Sequence, residues 1–262
     1  MHRAAHQILD HPLVFEDPLA LRIVGAEAEA ALRAGTSRHC DPRMAKLRAF
    51  IAVRNRFSED CAAGVNQYAL LGAGLDTFAY RSTGIRVFEV DHPATQAWKR
   101  ARLEETAIAI PAGVGFVPVD FEHEDFAEGL TRAGFDFGEP AVVAWLGVVP
   151  YLDKPTVIDT LRRLAGTMAP GSTVIFDYPA PPTELTEQER RTAMAFAMRV
   201  AAAGEPLRTF FDPQELAAEL AAAGLRGEDF NRVTLTAHYL AGRSDGLALS
   251  RHAHIMRARI QA

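Results

Sequence analysis

One stretch of the sequence, residues 66–91, constrains the possible folds of this chain most strongly. It begins with a short apolar run at 68–71, which has the length expected for a strand buried on both faces. The run ends in a Gly-Ala-Gly turn at 72–74, and a second apolar run at 85–90 ends at Asp91. A strand, a glycine turn, a helix and a strand with a terminal acid form the unit with which an open α/β sheet binds a nucleoside-bearing cofactor.

The glycines and the acid have complementary roles in such a unit. Gly72 and Gly74 allow the backbone to come close to a ligand, and Asp91 can accept hydrogen bonds from both ribose hydroxyls. The alternative is a tight turn between strand and helix that binds nothing. Asp91 follows Gly72 by nineteen positions, about the distance that the cofactor motif requires, which favours a cofactor.

The residues after the turn indicate which cofactor it suits. A dinucleotide motif carries a third glycine where this chain has Thr77, and here Asp76 precedes that position. An acid at the mouth of the turn repels a diphosphate, but it suits a cationic ammonium group. We therefore predict S-adenosylmethionine as the cofactor, with NAD as the alternative.

Composition and charge exclude several other classes of protein. With 262 residues, 48% of them hydrophobic and 23% charged, the chain is predicted to form a single soluble domain over 1–262. A net charge of -5 provides no basic field for nucleic acid, and no apolar run reaches the roughly 18 residues of a membrane span. Cys40 and Cys61 lack metal-ligand spacing, and no carboxylate cluster suggests a metal, so we predict free thiols and no metal. The polar N-terminus has no apolar leader segment, so a cytoplasmic protein is expected.

Two helical segments are predicted outside the sheet. Residues 1–62 form an N-terminal cap, whose last helix leads into the first strand and could bring Arg54 to the glycine turn. A solvated arginine face is the alternative for that helix. Residues 179–211 form an insertion after the fifth strand that could close over a pocket as a lid, or could be part of the core.

The later strands supply further candidate site residues. The third strand ends at Asp120 and Phe121, which could accept from the adenine amino group and flank its ring, although Asp120 could equally cap a helix. The loop 146–152 follows the fourth strand, at the switch point where cofactor and substrate meet. The alternating or apolar runs at 232–240 and 252–260 predict an antiparallel strand pair that closes the sheet.

Four motifs in this order resemble the leucine carboxyl methyltransferase family, and particularly its bacterial branch, which includes polyketide O-methyltransferases. They are Leu71-Gly72-Ala73-Gly74-Leu75-Asp76-Thr77, Glu89-Val90-Asp91-His92-Pro93, Val119-Asp120-Phe121 and Trp145-Leu146-Gly147-Val148-Val149-Pro150-Tyr151-Leu152. The resemblance implies an α/β fold of the class I methyltransferase (Rossmann-like) type, with a seven-stranded sheet in the order 3-2-1-4-5-7-6 and a helical cap. It also implies S-adenosylmethionine as methyl donor and S-adenosylhomocysteine as product.

By this resemblance, Arg54 pairs with the methionine carboxylate, the glycines line the methionine end, Asp91 binds the ribose, and Asp120 with Phe121 binds the adenine. The full set of predicted cofactor-binding residues is Arg54, Gly72, Ala73, Gly74, Asp76, Thr77, Asp91, His92, Asp120, Phe121, Leu146 and Gly147. Two positions depart from the family. Many members carry Glu where this chain has Leu146, and the Arg-Thr-Arg of the N-terminal helix is here Arg54-Asn55-Arg56. The first change removes a contact to the cofactor ammonium, which Asp76 or backbone carbonyls could replace.

The expected reaction is O-methylation of a small-molecule carboxylate or hydroxyl by a monomer or homodimer, and the resemblance suggests polyketide-like secondary metabolism as its setting. A carboxylate acceptor needs no base, whereas a phenol or alcohol must lose a proton to a nearby group. Tyr151 and His92 are the predicted catalytic residues, with Tyr178 as a further candidate, and all three could instead be packing or capping residues. An NAD-dependent oxidoreductase and a catalytically silent S-adenosylmethionine-binding protein remain alternatives. The sequence contains no Tyr-x-x-x-Lys pair of the kind that the first would carry.

Overall fold

Seven strands form one sheet in a computed structural model that describes residues 1–120, 124–181, 187–202, 204 and 206–261. The strands are β1 Gln67–Leu71, β2 Arg86–Asp91, β3 Val114–Pro118, β4 Val142–Trp145, β5 Thr173–Pro179, β6 Leu225–Phe230 and β7 Ala253–Ile260. Their order is β3-β2-β1-β4-β5-β7-β6, with β7 antiparallel to both of its neighbours and the other pairs parallel. The predicted fold class and strand order are confirmed.

Helices cover both faces of this sheet. They are α1 His2–Leu9, α2 Ala20–Ile23, α3 Ala26–Arg33, α4 Ala45–Asp60, α5 Phe78–Arg81, α6 Pro93–Glu105, α7 Phe126–Arg132, α8 Lys154–Thr167, α9 Glu187–Ala202, α10 Pro213–Ala222 and α11 Arg232–Tyr239. Short 3-10 turns lie at Arg38–Cys40, Pro42–Met44 and Val149–Tyr151. No helix in the described ranges combines the length and the apolar character needed to cross a bilayer.

The core consists mainly of two apolar clusters, one on each face of the sheet. On one face, side chains of α7, α8 and α10 pack against Trp145 and Phe176 of β4 and β5. On the other face, α4, α5 and α11 pack against Tyr68 of β1 and Ile175 of β5. Since successive side chains of a strand point to opposite faces, the residues just after Trp145 and Phe176 point towards α4.

The predicted strand at 232–240 is wrong. This segment forms α11, and the partner of β7 is instead β6, which begins directly after Gly224. The alternation of apolar and polar residues suggested a strand, but the side chain of Asn231 accepts hydrogen bonds from Val233 N and Thr234 N and starts a helix. A strong N-cap outweighs a short alternating pattern because it satisfies backbone N–H groups at the start of the helix.

The N-terminal helix α1 packs on α4 through a buried ionic group. Both carboxylate oxygens of Asp10 accept from Arg48, at 2.7 and 2.8 Å, and one also contacts the His6 ring at 2.8 Å. The other ring nitrogen of His6 accepts from Val14 N and Phe15 N. These bonds fix the turn after α1 and attach it to the helix that carries Arg54.

Because of this group, we expect the stability of the protein to change with pH in the acidic range. Burial alone would raise the pKa of Asp10, but hydrogen bonds from Arg48 and His6 outweigh it and lower the pKa from 3.8 to about 2. A lowered carboxyl pKa contributes stability that is complete above the unfolded-state value and is lost as the pH falls from about 4 towards 2. We expect the pH-dependent advantage of the wild type over Asp10→Asn to be about 2 kcal/mol at pH 6 and to shrink over this range. Urea unfolding at stepped pH measures it, with the exposed Asp159→Asn as control. An advantage that does not change with pH would contradict the assignment.

Candidate cofactor site

The glycine turn lies between the ends of three strands. Gly72 N and Ala73 N donate to Val90 O at 2.8 and 3.2 Å, which fixes the turn to β2. Gly72 has a φ of 74°, and a Cβ atom at this position would lie 2.5 Å from Val148 Cγ2 in the loop after β4. Only glycine combines this conformation with such a close approach, so the turn after β1 and the loop after β4 are in direct contact.

Asp91, at the end of β2, holds the second glycine of the turn. Its Oδ2 accepts from Gly74 N at 2.6 Å, and its Oδ1 accepts from His92 N at 2.8 Å. The residue is half-buried, and a carboxylate has about four acceptor sites, so its two oxygens can still accept from hydroxyl groups of a ligand. The predicted ribose acid therefore also orders the glycine turn.

The end of β3 lies beside Asp91. Val119 N donates to Asp91 O at 2.9 Å, and the next residue is the half-buried Asp120, whose N–H donates to Glu124 at 2.8 Å. The structure thus brings Asp91 and Asp120 to neighbouring strand ends. Phe121 lies outside the described residues.

A second group of polar atoms lies at the ends of β4 and β5. Asp177 Oδ1 accepts from Gly147 N, and its Oδ2 accepts from Arg54 Nη1, both at 2.6 Å. The Arg54 guanidinium lies against Gly147, since a Cβ there would be 2.8 Å from Arg54 Nη2. Arg54 therefore reaches the predicted site from α4, but it does so as the ion-pair partner of an acid that the sequence analysis did not assign.

Asp76 and Thr77, shortly after the glycine turn, bind the N-terminal segment instead of facing open space. Asp76 Oδ2 accepts from Arg3 Nη1 at 2.8 Å, and Arg3 also donates to Leu75 O. Burial opposes ionisation of Asp76, but the charges of Arg3 and Lys99 outweigh it, so the pKa of this carboxyl is below its ordinary value. The buried Thr77 donates to Asp17 at 2.8 Å.

The remaining predicted residues divide between the loop after β4 and the start of α6. Leu146 and Tyr151 are half-buried, and Leu146 packs on the apolar cluster under α4. The exposed His92 caps α6, because its ring Nδ1 accepts from Ala94 N at 3.2 Å. Tyr178 is buried on the opposite face of the sheet, where its hydroxyl donates to Asp229 at 2.6 Å. Burial is the main cause that raises the pKa of Tyr178, and the carboxylate of Asp229 raises it further. Tyr178 is therefore a core residue.

The end of the predicted lid contacts the same loop. Arg208 N and Thr209 N donate to Pro150 O at 2.8 and 3.3 Å, and the Thr209 hydroxyl donates to Leu152 O. Phe211 N donates to Pro179 O at 3.2 Å, so both ends of the insertion meet at the tip of β5. Residues 182–186, 203 and 205 of this segment lie outside the described residues.

Sequence reasoning did not find three residues of this region. Arg3 and Asp17 lie in the N-terminal segment, and nothing in the local sequence links them to a turn some sixty to seventy positions later. Asp177 left a signal, since it directly follows the buried run 173–176 at the carboxyl end of a strand beside the switch point. Any acid at such a strand end merits testing as a ligand.

These contacts can be compared with known proteins. The sequence profile of the leucine carboxyl methyltransferase family matches residues 1–165, more than half of the chain. The chain belongs to the leucine carboxyl methyltransferase family. The matched part of the chain runs from α1 through α8 and therefore contains the glycine turn, Asp91 and the loop after β4.

Bacterial relatives of this chain are named as S-adenosyl-L-methionine-dependent methyltransferases. The "Putative S-adenosyl-L-methionine-dependent methyltransferase YktD" of Bacillus subtilis (strain 168) is 36% identical over 167 residues, which are 62% of this chain and 54% of that protein. A "Putative S-adenosyl-L-methionine-dependent methyltransferase" of Mycolicibacterium vanbaalenii is 34% identical over 216 residues, 75% of this chain and 69% of its own. The match thus spans from about half to about two thirds of the length of these relatives.

Solved structures share the fold at low sequence identity. A DUF574 family protein from Streptomyces avermitilis MA-4680 matches with a TM-score of 0.62 and 16% identity, over 100% of this chain and 97% of that one. A "putative methyltransferase" from Thermobifida fusca YX matches with a TM-score of 0.59 and 18% identity, over 100% and 95%. At such identities the likeness establishes the fold of the family and nothing further.

The contact between the two loops can be tested by substitution at Gly72. Gly72→Ala places a methyl group against Val148, so we expect it to destabilise the protein by about 1–3 kcal/mol more than the strain of a positive φ alone. Gly35→Ala is the matched control, because Gly35 also has a positive φ, of 70°, but nothing lies within 4 Å of a Cβ there. Adding Val148→Ala should remove part of the excess. Equal losses of unfolding free energy at the two glycines would show that the loops are not in contact.

Proposed function

We propose that this chain is an S-adenosylmethionine-dependent O-methyltransferase that acts on a small-molecule carboxylate or hydroxyl, in polyketide-like secondary metabolism. Family membership supports methyl transfer, and the names of the bacterial relatives support the cofactor. Neither gives support to the NAD-dependent oxidoreductase. The net charge of -5 favours a small-molecule acceptor over a nucleic acid.

The observation that carries this proposal is the spacing of charges along the strand ends. Asp91 at the end of β2 is bonded to the glycine turn, and Arg54 lies at the end of β4, on the other side of that turn. The ligand that suits them has ribose hydroxyls near one end and a carboxylate near the other. Asp120, beside Asp91, would extend the site towards the adenine.

The backbone of the turn also fits a ligand without phosphates. The N–H groups of Gly72 and Ala73 donate to Val90 O, and that of Gly74 donates to Asp91. The first N–H of α5, that of Phe78, donates to Asp76 at 2.8 Å. A pyrophosphate requires such groups as donors, and here they already have acceptors within the protein. In contrast, Arg54 Nε is buried and has no hydrogen-bond partner among the described residues, so it can still donate to a carboxylate.

When bound, S-adenosylmethionine supplies a methyl group on a cationic sulfur, and transfer to an oxygen nucleophile leaves S-adenosylhomocysteine. The chain's own residues then have to bind the cofactor, align it with the acceptor and exclude water. Alignment of the two reactants alone can account for much of the acceleration. We assign the binding to Arg54, Gly72, Gly74, Asp91 and Asp120. We assign the exclusion of water to the N-terminal cap 1–62 and the lid 179–211, within one domain 1–262.

The acceptor would lie beside the loop after β4, between the cap and the lid. Tyr151 is the candidate that can orient it, because it directly follows Pro150 in the same 3-10 turn, where the lid returns to the sheet. His92 is a weaker candidate, since its ring already caps α6. A carboxylate acceptor would need no proton removal, and a hydroxyl acceptor would have to lose its proton on attack.

Calorimetric titration tests the proposal on the wild type and on Asp91→Ala. We expect micromolar-range binding of S-adenosylmethionine and S-adenosylhomocysteine, no binding of NADH, and a loss of at least about tenfold in the variant, because a hydrogen-bonded charge is removed. Asp159→Ala, an exposed acid on α8, is the matched control and should bind as the wild type does.

Three results would separate the alternatives. Absence of binding of both sulfur ligands would reject the methyltransferase, and binding of NADH alone would support the oxidoreductase. Tight binding with no product on a panel of carboxylic and phenolic acceptors would indicate a silent cofactor-binding protein.

A further inference from the structure

The ion pair between Arg54 and Asp177 is a largely enclosed charged feature next to the predicted methionine end. The Asp177 side chain is 6% exposed and that of Arg54 is 18% exposed. Removing two charges from water is costly unless their partners compensate for it. Among the described residues, each oxygen of Asp177 has one hydrogen-bond partner, Gly147 N for Oδ1 and Arg54 Nη1 for Oδ2, and each can accept a further hydrogen bond.

The strand register places Asp177 where an acid is otherwise missing. Trp145 of β4 pairs with Phe176 of β5, and both side chains enter the same apolar cluster. Leu146 and Asp177 are the next residues, so they stand at the same level, one strand apart, and point to the face of α4. Leu146 offers the end of β4 no charge, and the carboxylate next to it comes from β5.

We propose that Asp177 binds the ammonium of an α-amino acid group and so completes a receptor with Arg54, to which the family resemblance already assigns the carboxylate of that group. This inference rests on the proposed function, since the group belongs to S-adenosylmethionine. An α-amino acid carries both charges on one carbon, so its receptor needs a cation and an anion close together. The distance of 2.6 Å between Arg54 Nη1 and Asp177 Oδ2 satisfies that condition.

The atoms that a ligand would use remain suitable when the pair is formed. Asp177 accepts a hydrogen bond from Nη1 of the Arg54 guanidinium. Nε and Nη2 form the other edge of this group, and the buried Nε has no partner among the described residues. That edge can bind a carboxylate by two parallel hydrogen bonds. Binding then places one added negative and one added positive charge against the pair, so no buried charge is left uncompensated.

Asp76 is a further acid near the glycine turn, and its position away from Arg54 makes it the weaker candidate. One of its oxygens accepts from Arg3 and the other from Phe78 N, at 2.8 Å each. Asp177 also accepts from a guanidinium and a backbone N–H, so the number of partners does not separate the two acids. The guanidinium on Asp76, however, belongs to Arg3 of the cap and not to Arg54. The structure therefore favours the acid on β5 over the acid after the glycine turn.

Four ligands that differ only at the amino acid end test this assignment by calorimetry. They are S-adenosylhomocysteine, its analogue without the amino group (a 3-carboxypropyl thioether), its analogue without the carboxylate (a 3-aminopropyl thioether) and 5′-methylthioadenosine. In Asp177→Asn we expect S-adenosylhomocysteine and the aminopropyl analogue to bind about ten- to a hundredfold more weakly, since a charged hydrogen-bond acceptor is lost. The carboxypropyl analogue and 5′-methylthioadenosine should keep their affinities.

Two further variants keep the test independent of folding. Asp229→Asn removes an acid on the neighbouring part of the sheet that is bonded to Tyr178, and it should change none of the four affinities. Leu146→Glu in the Asp177→Asn background returns a carboxylate to the same level and face of the sheet, and it should restore affinity for the two ligands that carry an ammonium.

Other results would overturn the assignment. An equal loss for the carboxypropyl analogue and S-adenosylhomocysteine would show that Asp177 only holds Arg54 in place. Equal wild-type affinity for S-adenosylhomocysteine and 5′-methylthioadenosine would reject an amino acid receptor while leaving the proposed function intact. If the wild type bound none of the four ligands, both proposals would fail.

Discussion

The hydrogen bond from Gly74 N to the carboxylate of Asp91 joins the two features on which the candidate site depends. A glycine turn alone has many conformations, and a single acid at the end of a strand has no fixed neighbour. The bond fixes both, because Asp91 is held by the pairing of β2 with β1 and β3. The glycine turn also contacts the loop after β4 through Gly72 and Val148, so the ends of the central strands form one connected surface.

Charge is distributed unevenly along this surface, in a way that suits an elongated ligand with unlike ends. Asp91 and Asp120 lie at the neighbouring ends of β2 and β3, where we propose that ribose and adenine bind. At β4 and β5 a guanidinium and a carboxylate stand in contact, with Gly147 allowing the guanidinium to lie against the backbone. The proposed ligand has a nucleoside at one end and a zwitterion at the other, and the guanidinium and carboxylate of the second half would pair with the two charges of that zwitterion.

The N-terminal cap is attached to the site by polar contacts as well as by apolar packing. Arg3 and Asp17 bind Asp76 and Thr77 directly after the glycine turn, and Asp10 holds α1 to α4. Residues near the start of the chain therefore determine which groups after the turn remain available to a ligand. This explains why Asp76, which looks like a ligand in the sequence, is a bonding partner of the cap in the structure.

The sequence by itself determined the fold class, the strand order through the family resemblance, and the positions of the glycine turn, Asp91 and Asp120. Such features can be recognised from local patterns, since buried strands, turns and strand-end acids each depend on a short consecutive segment of the sequence. It misjudged 232–240, where a cap at Asn231 outweighed the alternation. Only the tertiary structure paired Arg54 with Asp177 and Arg3 with Asp76, over separations of 123 and 73 residues. Such partners depend on which strand ends and helices become neighbours, and that is decided by the packing of the whole chain.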